Sequence, residues 1–197
     1  IVPAAGLGTR LLSATKEQPK EMLPIFVRND DGTLCLKPMM QYIFEQLFDF
    51  GVRNFYFVVG REKRAIEDHF TPDRNLIERL RVHGRRNALD NLERFYGKIE
   101  ISNIAWVNQP IPKGFGDAVL RAEGLIHEDS FMVHAGDTSI LSRRHGFLSR
   151  LTEAHERQKA HATLAVREMR DATIRLYGVA DALETGEEDL VVRDVVE

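Results

Sequence analysis

The residues best suited to bind an anion lie in a small glycine-containing segment near the start of the chain. Residues 3–10 read Pro-Ala-Ala-Gly-Leu-Gly-Thr-Arg and directly follow the apolar residues Ile1 and Val2. Small residues and glycines let backbone N–H groups approach an anion closely, and the Arg10 guanidinium adds a permanent positive charge. The segment therefore predicts a phosphate-binding loop, although an ordinary turn between a strand and a helix uses glycines in the same way.

Two common phosphate-binding motifs do not fit this segment. A dinucleotide-binding fingerprint requires a third glycine three residues after Gly8, where Leu11 stands. A P-loop requires Gly-Lys-Ser or Gly-Lys-Thr at positions 11–13, where the chain has Leu-Leu-Ser. Neither a dinucleotide fold nor a P-loop enzyme is therefore predicted.

A second cation follows the glycine segment at a fixed place in the sequence. Residues 19–24 read Pro-Lys-Glu-Met-Leu-Pro, so Lys20 is flanked by prolines that restrict the backbone. Two fixed cations, Arg10 and Lys20, facing a glycine loop suit a polyphosphate whose negative charge grows in a transition state. A single lysine taken alone would more often be a solvated surface residue.

A carboxylate stands where an α/β sheet binds its ligands. The apolar residues 131–134 end at Ala-Gly-Asp, which places Asp137 at the carboxyl end of a predicted strand. A hard oxygen ligand of this kind suits Mg²⁺, which needs only one or two protein carboxylates. A turn or helix cap is the alternative use of such an aspartate.

Other catalytic chemistries find little support in the sequence. The seven histidines form no His-x-x-x-His pair and Cys35 is the single cysteine, which argues against a zinc site. There is no Gly-x-Ser-x-Gly segment, so no hydrolase nucleophile is predicted. We expect His134 to be a packed strand residue rather than a base.

The elements that would position these residues follow from the hydrophobic pattern. Short apolar runs alternate with amphipathic stretches, which is typical of an α/β layer fold. The pattern predicts helices at 38–50, 62–70, 74–96, 117–126 and 144–158, the third of them exposed and broken near Gly84. It predicts strands at 1–2, 55–59, 104–107, 130–134 and 162–167, and a hairpin-like pair at 176–183 and 190–196.

Composition limits the class of protein. The chain has 197 residues and a net charge of −3, which predicts one domain with a real core and excludes a generally basic nucleic-acid surface. The apolar runs are much shorter than the roughly 20 residues of a membrane span. One cysteine excludes an intramolecular disulfide framework. We expect a cytoplasmic protein that binds neither nucleic acid nor membranes.

The segments at 3–10 and 19–24 resemble the signature of sugar-1-phosphate nucleotidyltransferases, and among them the bacterial and archaeal UTP–glucose-1-phosphate uridylyltransferase family. The resemblance implies a Rossmann-like three-layer α/β nucleotidyltransferase fold with a mixed, largely parallel sheet. It implies transfer of the uridylyl group of UTP to glucose 1-phosphate, with Mg²⁺ as cofactor. We also expect a homo-oligomer.

The resemblance also assigns roles to individual residues. Arg10 and Lys20 correspond to the catalytic cations, and Asp137 corresponds to the Mg²⁺ ligand. Residues 108–119 resemble the family's pyrimidine-reading segment, although Asp117 stands where the family commonly has histidine, which leaves its role open. The nucleotide-binding residues would be Ala5, Gly6, Leu7, Gly8, Thr9, Gln109 and Gly114.

The later part of the chain resembles the sugar-binding part of the family. Residues 177–179 read Tyr-Gly-Val, and the chain ends at Glu197, so Gly178 and Glu197 would contact the sugar. The family's sugar-phosphate lysine and a second metal carboxylate would follow, so we expect this chain to be a single nucleotidyltransferase domain, 1–197, without its C-terminal part. A helical insertion at about 71–98 resembles that of the uridylyltransferase branch and favours UTP over dTTP.

Other functions remain open from the sequence. The same scaffold could serve a thymidylyltransferase or an N-acetylhexosamine-1-phosphate uridylyltransferase. A non-catalytic nucleotide-sugar-binding subunit is a third hypothesis, against which the presence of Arg10, Lys20 and Asp137 argues.

Overall fold

The computed structural model describes residues 1–6, 8, 11–29, 32–142, 146–169, 177–184 and 189–196. The chain divides into two compact units, Ile1–Ser139 and Ile140–Glu197. The assignment of the whole chain to one domain stays a prediction. Within the described residues, none of the helices combines the length and the apolar character that crossing a membrane requires.

The first unit contains a three-stranded sheet, a separate hairpin and most of the helices. Its strands are β1 (Val2–Pro3), β2 (Pro24–Arg28), β3 (Leu34–Pro38), β4 (Asn54–Val59) and β5 (Asn103–Asn108). Its helices are α1 (Leu12–Thr15), α2 (Met39–Phe50), α3 (Arg64–His69), α4 (Arg74–Val82), α5 (Arg86–Glu100) and α6 (Phe115–Leu120). Two short 3-10 helices, Lys20–Met22 and Glu123–Leu125, complete the unit.

The sheet is parallel, with the strand order β1-β4-β5. Val2 of β1 pairs with Phe57 of β4, and Tyr56 of β4 pairs with Ala105 of β5. Parallel neighbours end at the same edge of a sheet, so the loops that follow these strands leave from one edge. The structure thus has the predicted α/β class with a parallel sheet.

The predicted strand at 130–134 is not a regular strand, although its backbone runs beside β1. The Ile1 nitrogen donates to the Met132 carbonyl at 2.7 Å, and the Gly136 N–H group donates to the Pro3 carbonyl at 3.0 Å. Pro3, which lies between these two bonds, has no N–H group to donate. The missing donor interrupts the ladder, so this segment follows the edge of the sheet as an extended chain.

Side chains from β4 fill the core on both faces of the sheet. Phe55 and Phe57 point to one face, where the ring of Phe44 from α2 lies 4.7 Å from that of Phe55. Val58 points to the other face and packs in a cluster with Ala118 of α6. The aromatic face also includes Phe70, Phe95 and Trp106. Helices therefore cover both faces of the sheet, which gives three layers.

The predicted helices are confirmed, although the third one extends to Glu100, beyond its predicted end at 96, and the fourth one is shorter than predicted. Helix α2 begins after Pro38 and ends at Gly51, whose φ of 121° favours glycine. The exposed stretch forms α4 and α5, which are separated at Gly84 as predicted. The predicted helix at 117–126 is shorter, because α6 ends at Leu120 and a 3-10 helix that contains the poor helix former Gly124 follows.

The hairpin of β2 and β3 was not expected from the sequence. Its strands are antiparallel and pair Ile25 with Lys37 and Val27 with Cys35. Val27 is its buried residue, whereas the large apolar side chains of Phe26 and Leu36 are exposed. Because neither face is buried along its length, the hairpin has no clean alternation of apolar and polar residues.

The second unit contains one helix and one hairpin. Helix α7 (Gly146–Gln158) is the predicted fifth helix, and the strands β6 (Val179–Glu184) and β7 (Leu190–Val196) are antiparallel. The predicted hairpin is therefore confirmed, while its turn at 185–188 lies outside the described residues. Arg157 of α7 forms an ion pair with Asp189, which directly precedes β7.

The predicted strand at 162–167 is wrong. These residues have no regular secondary structure. Leu164 and Val166 are 51% and 58% exposed, so neither is buried on the face that a half-buried strand would present. Alternating apolar residues alone do not make a strand when no neighbouring strand supplies backbone partners.

A buried ion pair joins the 3-10 helix Lys20–Met22 to the residue that precedes α3. Lys63 Nζ lies 2.8 Å from Glu21 Oε2, and their side chains are 8% and 1% exposed. A carboxylate buried to this extent loses its hydration and needs a charged or hydrogen-bonding partner. The pair therefore fixes the 3-10 helix against the start of α3.

We expect Lys63→Met to destabilise the protein by about 3–5 kcal/mol, because it leaves a buried carboxylate without its cation. The double variant Lys63→Met/Glu21→Met should recover much of this loss. The measurement is the free energy of unfolding in urea.

Lys98→Met is the matched control, since Lys98 forms a more exposed pair with Asp49 at 2.6 Å. Its loss should be about 1 kcal/mol or less. Equal losses for Lys63→Met and Lys98→Met, or no recovery in the double variant, would contradict the role of the buried pair.

Candidate nucleotide-binding site

The loops that follow β1, β4 and β5 meet at one edge of the sheet. A Cβ atom at Gly60 would lie 3.3 Å from the Ala5 carbonyl oxygen and 3.5 Å from the Gln109 carbonyl oxygen. Gly60 therefore lets the two flanking chains approach closely. This edge is the carboxyl edge of a parallel sheet, where open α/β folds bind their ligands.

Three residues predicted from separate motifs come together at this edge. Lys20 Nζ lies 2.5 Å from Asp137 Oδ2, although 117 residues separate them in sequence. A Cβ atom at Gly6 would lie 3.3 Å from the same Nζ atom, so the glycine loop lies beside the ammonium group. The side chains of Lys20 and Asp137 are 23% and 38% exposed, which leaves both accessible to a ligand.

Contacts of the residues before and after Lys20 hold its backbone in place. Its 3-10 helix follows Pro19, whose carbonyl accepts a hydrogen bond of 2.9 Å from the Met22 N–H group. The next residue, Glu21, forms the buried ion pair with Lys63. The backbone that carries Lys20 is therefore anchored directly beside the site.

Asp137 is positioned by the extended segment that runs along β1. A Cβ atom at Gly136 would lie 2.9 Å from Met40 Cε and 3.0 Å from the Pro3 carbonyl oxygen, so only glycine allows this close approach. His134 in the same segment is buried, and its Nδ1 atom lies 2.9 Å from the Ala135 carbonyl oxygen, to which it donates. Burial lowers the pKa of the His134 imidazole, which makes it a packed neutral residue.

The structure describes part of the glycine loop. Gly8 has a φ of 67°, in the left-handed region that favours glycine, and its carbonyl accepts a hydrogen bond of 2.9 Å from Thr15 Oγ1. This hydroxyl also lies 2.9 Å from the Leu11 carbonyl oxygen, and so links the loop to α1. The predicted loop residues Leu7, Thr9 and Arg10 lie outside the described residues, and their roles stay predictions.

A second group of side chains lies at the end of β5. Gln109 is 3% exposed, and its Nε2 atom lies 2.7 Å from Asp117 Oδ2 and 3.3 Å from the Gly114 carbonyl oxygen. Gly114 has a φ of 106° and directly precedes α6. The structure thus joins Gln109 to Gly114 and to Asp117, while the role of Gln109 and Gly114 in nucleotide binding stays a prediction.

Asp117 has a role that the sequence left open. It accepts hydrogen bonds from Gln109 and, four residues along α6, from Arg121 Nη2 at 3.1 Å. The hydrogen bond from Gln109 lowers the pKa of the Asp117 carboxyl most, and the hydrogen bond from Arg121 lowers it further. The signal in the sequence was a carboxylate in the first helical turn after a glycine, four residues before an arginine.

The predicted sugar-binding residues belong to the second unit. Gly178 directly precedes β6, and a Cβ atom on it would lie 3.8 Å from the Val196 carbonyl oxygen. Glu197 lies outside the described residues. Both assignments stay predictions.

The described residues contain no group of three or more His, Cys, Asp and Glu side chains that could hold a metal ion by itself. Among the described residues of the candidate site, Asp137 offers an accessible carboxylate oxygen. One carboxylate suits a cation that takes its remaining ligands from water and from substrate phosphates, as Mg²⁺ does.

Two curated relatives resemble the whole chain. It is 37% identical over 197 residues to UTP–glucose-1-phosphate uridylyltransferase 2 of Staphylococcus saprophyticus, and 34% identical over 197 residues to UTP–glucose-1-phosphate uridylyltransferase of Bacillus subtilis. Each alignment covers 100% of this chain and 63% of the relative. The chain thus spans about 63% of the length of these relatives.

Two solved structures resemble the fold of this chain. A UTP-bound UGPase from Acinetobacter baumannii matches with a TM-score of 0.79 and 26% identity, over 100% of this chain and 66% of that one. A UDP-glucose pyrophosphorylase complexed with UDP-glucose matches with a TM-score of 0.78 and 31% identity, over 100% and 67%. These matches confirm the predicted α/β nucleotidyltransferase fold. Residues 1–197 match the nucleotidyl transferase family along their whole length, and the chain therefore belongs to that family.

Proposed function

We propose that the protein transfers the uridylyl group of UTP to glucose 1-phosphate, giving UDP-glucose and pyrophosphate. The observation that carries the proposal is the ion pair of Lys20 with Asp137 beside Gly6, at the carboxyl edge of the sheet. This arrangement combines a cation, a metal-binding carboxylate and a glycine loop, which are the groups that phosphoryl-type transfer needs. The names of the curated relatives and structural neighbours support the same reaction.

The reaction needs charge neutralisation rather than a base. An oxygen of the sugar phosphate attacks the α-phosphorus of UTP, and the bond to the bridging oxygen of the leaving pyrophosphate breaks. The attacking oxygen is already ionised, so no residue has to remove a proton. The residues at the candidate site fit this demand, because His134 is buried and neutral while Lys20 is charged and accessible.

We assign the same role at the phosphates to both cations. Lys20 neutralises charge that develops on the α-phosphate and on the leaving pyrophosphate, and we assign Arg10 the same role. The backbone of the glycine loop, residues 5–9, binds the triphosphate. Since Gly6 lies against the Lys20 ammonium, a phosphate bound to this loop lies within reach of that cation.

Nucleotidyltransferases of this family generally use a divalent metal ion. The donor set here fits Mg²⁺, because Asp137 offers an accessible hard oxygen ligand at the end of the extended segment. Bound there, Mg²⁺ would supply positive charge to neutralise the substrate phosphates. Lys20 contacts the same carboxylate, which keeps its ammonium group beside the oxygen ligand that Asp137 offers.

Base and sugar recognition complete the proposal. Gln109 and Gly114 read the pyrimidine, since a buried amide beside an open glycine can lie against a base edge. Gly178 and Glu197 contact the sugar. The homo-oligomer and the cytoplasmic location stay predictions.

The reaction itself is tested by pyrophosphate release over a matrix of UTP, dTTP and CTP against glucose 1-phosphate and N-acetylglucosamine 1-phosphate. We expect the highest kcat/KM for UTP with glucose 1-phosphate. A higher value for dTTP, or for the N-acetylated sugar, would replace the proposed substrate pair. Binding of UTP without release of pyrophosphate would indicate a non-catalytic subunit.

Lys20→Ala should lower kcat for pyrophosphate formation by about 100- to 1,000-fold, the usual effect of removing one preorganised charge partner of a transition state. Rates are compared at saturating concentrations of both substrates, together with thermal unfolding to show that the fold is intact. The matched control is Lys16→Ala, because Lys16 lies in the same segment with a 76% exposed side chain. A change of a few-fold or less in Lys20→Ala would remove Lys20 from the catalytic residues.

Gln109→Ala should mainly reduce discrimination among nucleotides, because it removes the side chain that reads the base. We expect the preference for UTP over CTP in kcat/KM to fall by about tenfold, the effect of losing one hydrogen bond. Asn108→Ala is the control, since Asn108 is the exposed neighbour on β5. An unchanged profile for UTP, dTTP and CTP in Gln109→Ala would exclude Gln109 from the base site.

A further inference from the structure

We infer that Asp117 is a specificity-determining residue, which holds the Gln109 amide in one orientation and so makes the base site prefer uracil and thymine to cytosine. The inference rests on the proposed function and deepens it at the base site.

The orientation of the Gln109 amide follows from its two partners. Its Nε2 atom lies 2.7 Å from Asp117 Oδ2 and 3.3 Å from the Gly114 carbonyl oxygen. A carboxylate and a carbonyl can only accept hydrogen bonds, so both must face the NH₂ end of the amide. A rotation of the amide by 180° would place its oxygen against two other oxygens.

Burial makes this orientation costly to change. Gln109 is 3% exposed, so water cannot easily take the place of a lost partner. Its Oε1 atom receives no hydrogen bond from any residue within the described ranges, and a Cβ atom at the adjacent Gly114 would meet nothing within 4 Å. The amide oxygen is therefore available as an acceptor beside an open stretch of backbone.

Asp117 is itself fixed by a second partner. Arg121 Nη2 lies 3.1 Å from Asp117 Oδ1, and Arg121 Nε lies 3.5 Å from Asp117 Oδ2. Both partners of Asp117 lower the pKa of its carboxyl, so it stays ionised at neutral pH and cannot donate to Gln109. The acceptor that faces the Gln109 NH₂ group is therefore permanent.

The pyrimidine bases differ at the atom that would meet this oxygen. Uracil and thymine carry a hydrogen on N3, which can donate to Gln109 Oε1. Cytosine has an unprotonated N3, whose lone pair would face the lone pairs of the same oxygen. A buried acceptor left without its hydrogen bond is costly, and this cost provides discrimination.

Removal of Asp117 would leave only the longer bond to the Gly114 carbonyl oxygen, at 3.3 Å, to hold the amide, which could then rotate more easily. The Gln109 NH₂ group could then turn to the base and donate to N3 of cytosine, while the oxygen would face a base bearing N3–H for only part of the time. UTP should bind less tightly, and CTP should bind equally well or better. Thymine and uracil have the same N3–H group, so dTTP should follow UTP.

The test measures the Kd of UTP, dTTP and CTP by titration calorimetry in the intact protein. Asp117→Ala should lower the ratio of the CTP Kd to the UTP Kd by about tenfold, the effect of one unmade hydrogen bond. Asp117→Asn should lower it less, because its amide oxygen can still accept from Gln109 in one of two orientations.

Arg121→Ala is the matched control. It removes the other partner of Asp117 and the ion pair on α6, but leaves the acceptor for Gln109 in place. In Arg121→Ala, the ratio of the CTP Kd to the UTP Kd should stay close to that of the unmodified protein. This control separates base selection from a general effect of the ion pair on helix stability, which would change all the Kd values together.

The possible results are distinct. Equal weakening of UTP and CTP in Asp117→Ala, or an unchanged ratio, overturns the role of Asp117 and leaves the proposed reaction standing. Equal Kd values of the unmodified protein for UTP and CTP would likewise overturn the role of Asp117 and leave the proposed reaction standing. Absence of UTP binding overturns both proposals. Should Asp117→Ala fail to fold, a ratio in Asp117→Asn equal to that of the unmodified protein overturns the inference.

Discussion

The parallel alignment of backbone segments at the edge of the sheet is the constraint on which the candidate site depends. Because β1, β4, β5 and the extended segment beside β1 run in one direction, their carboxyl ends meet at one edge. Residues that are distant in sequence, such as Lys20 and Asp137, are thereby brought within hydrogen-bonding distance. Glycine at positions 60 and 136 permits the close approach of these chains, since a side chain there would meet backbone atoms or Met40 at about van der Waals distance or less.

The buried charges of Glu21 and Lys63 near this edge are tied to each other, at a cost that apolar residues would avoid. An apolar pair in place of Glu21 and Lys63 could be as stable or more stable, because both charges lose their hydration on burial. An ion pair, however, requires one particular alignment, whereas apolar side chains tolerate several. The position of the 3-10 helix, and with it the position of Lys20, is in this way more narrowly defined than hydrophobic packing alone would make it.

Much of the fold and part of the candidate site could be predicted from local sequence. Helix α2 has an apolar stripe between Pro38 and Gly51, and both ends are where these residues place them. The predictions that failed concern segments whose structure depends on residues distant in the sequence. The segment at 130–134 loses its ladder because Pro3, on another strand, lacks an N–H group, and the β2–β3 hairpin has no buried face that would give it a pattern. The contact of Asp117 with Gln109 likewise joins a helix to the end of a strand, and no periodicity predicts it.

The net charge of −3 is compatible with a polyphosphate ligand because the charges act over short distances. At physiological salt, charges on the surface more than about 8–10 Å away are largely screened, so the local groups decide what binds. Lys20 is only 23% exposed and is therefore screened less than a surface lysine. Asp117, in contrast, is neutralised by Arg121 and turned toward an amide, so its negative charge contributes little repulsion to a nucleotide. Under the proposed function, aspartate serves the phosphates at position 137 and the base at position 117, because the partners of the two carboxylates differ.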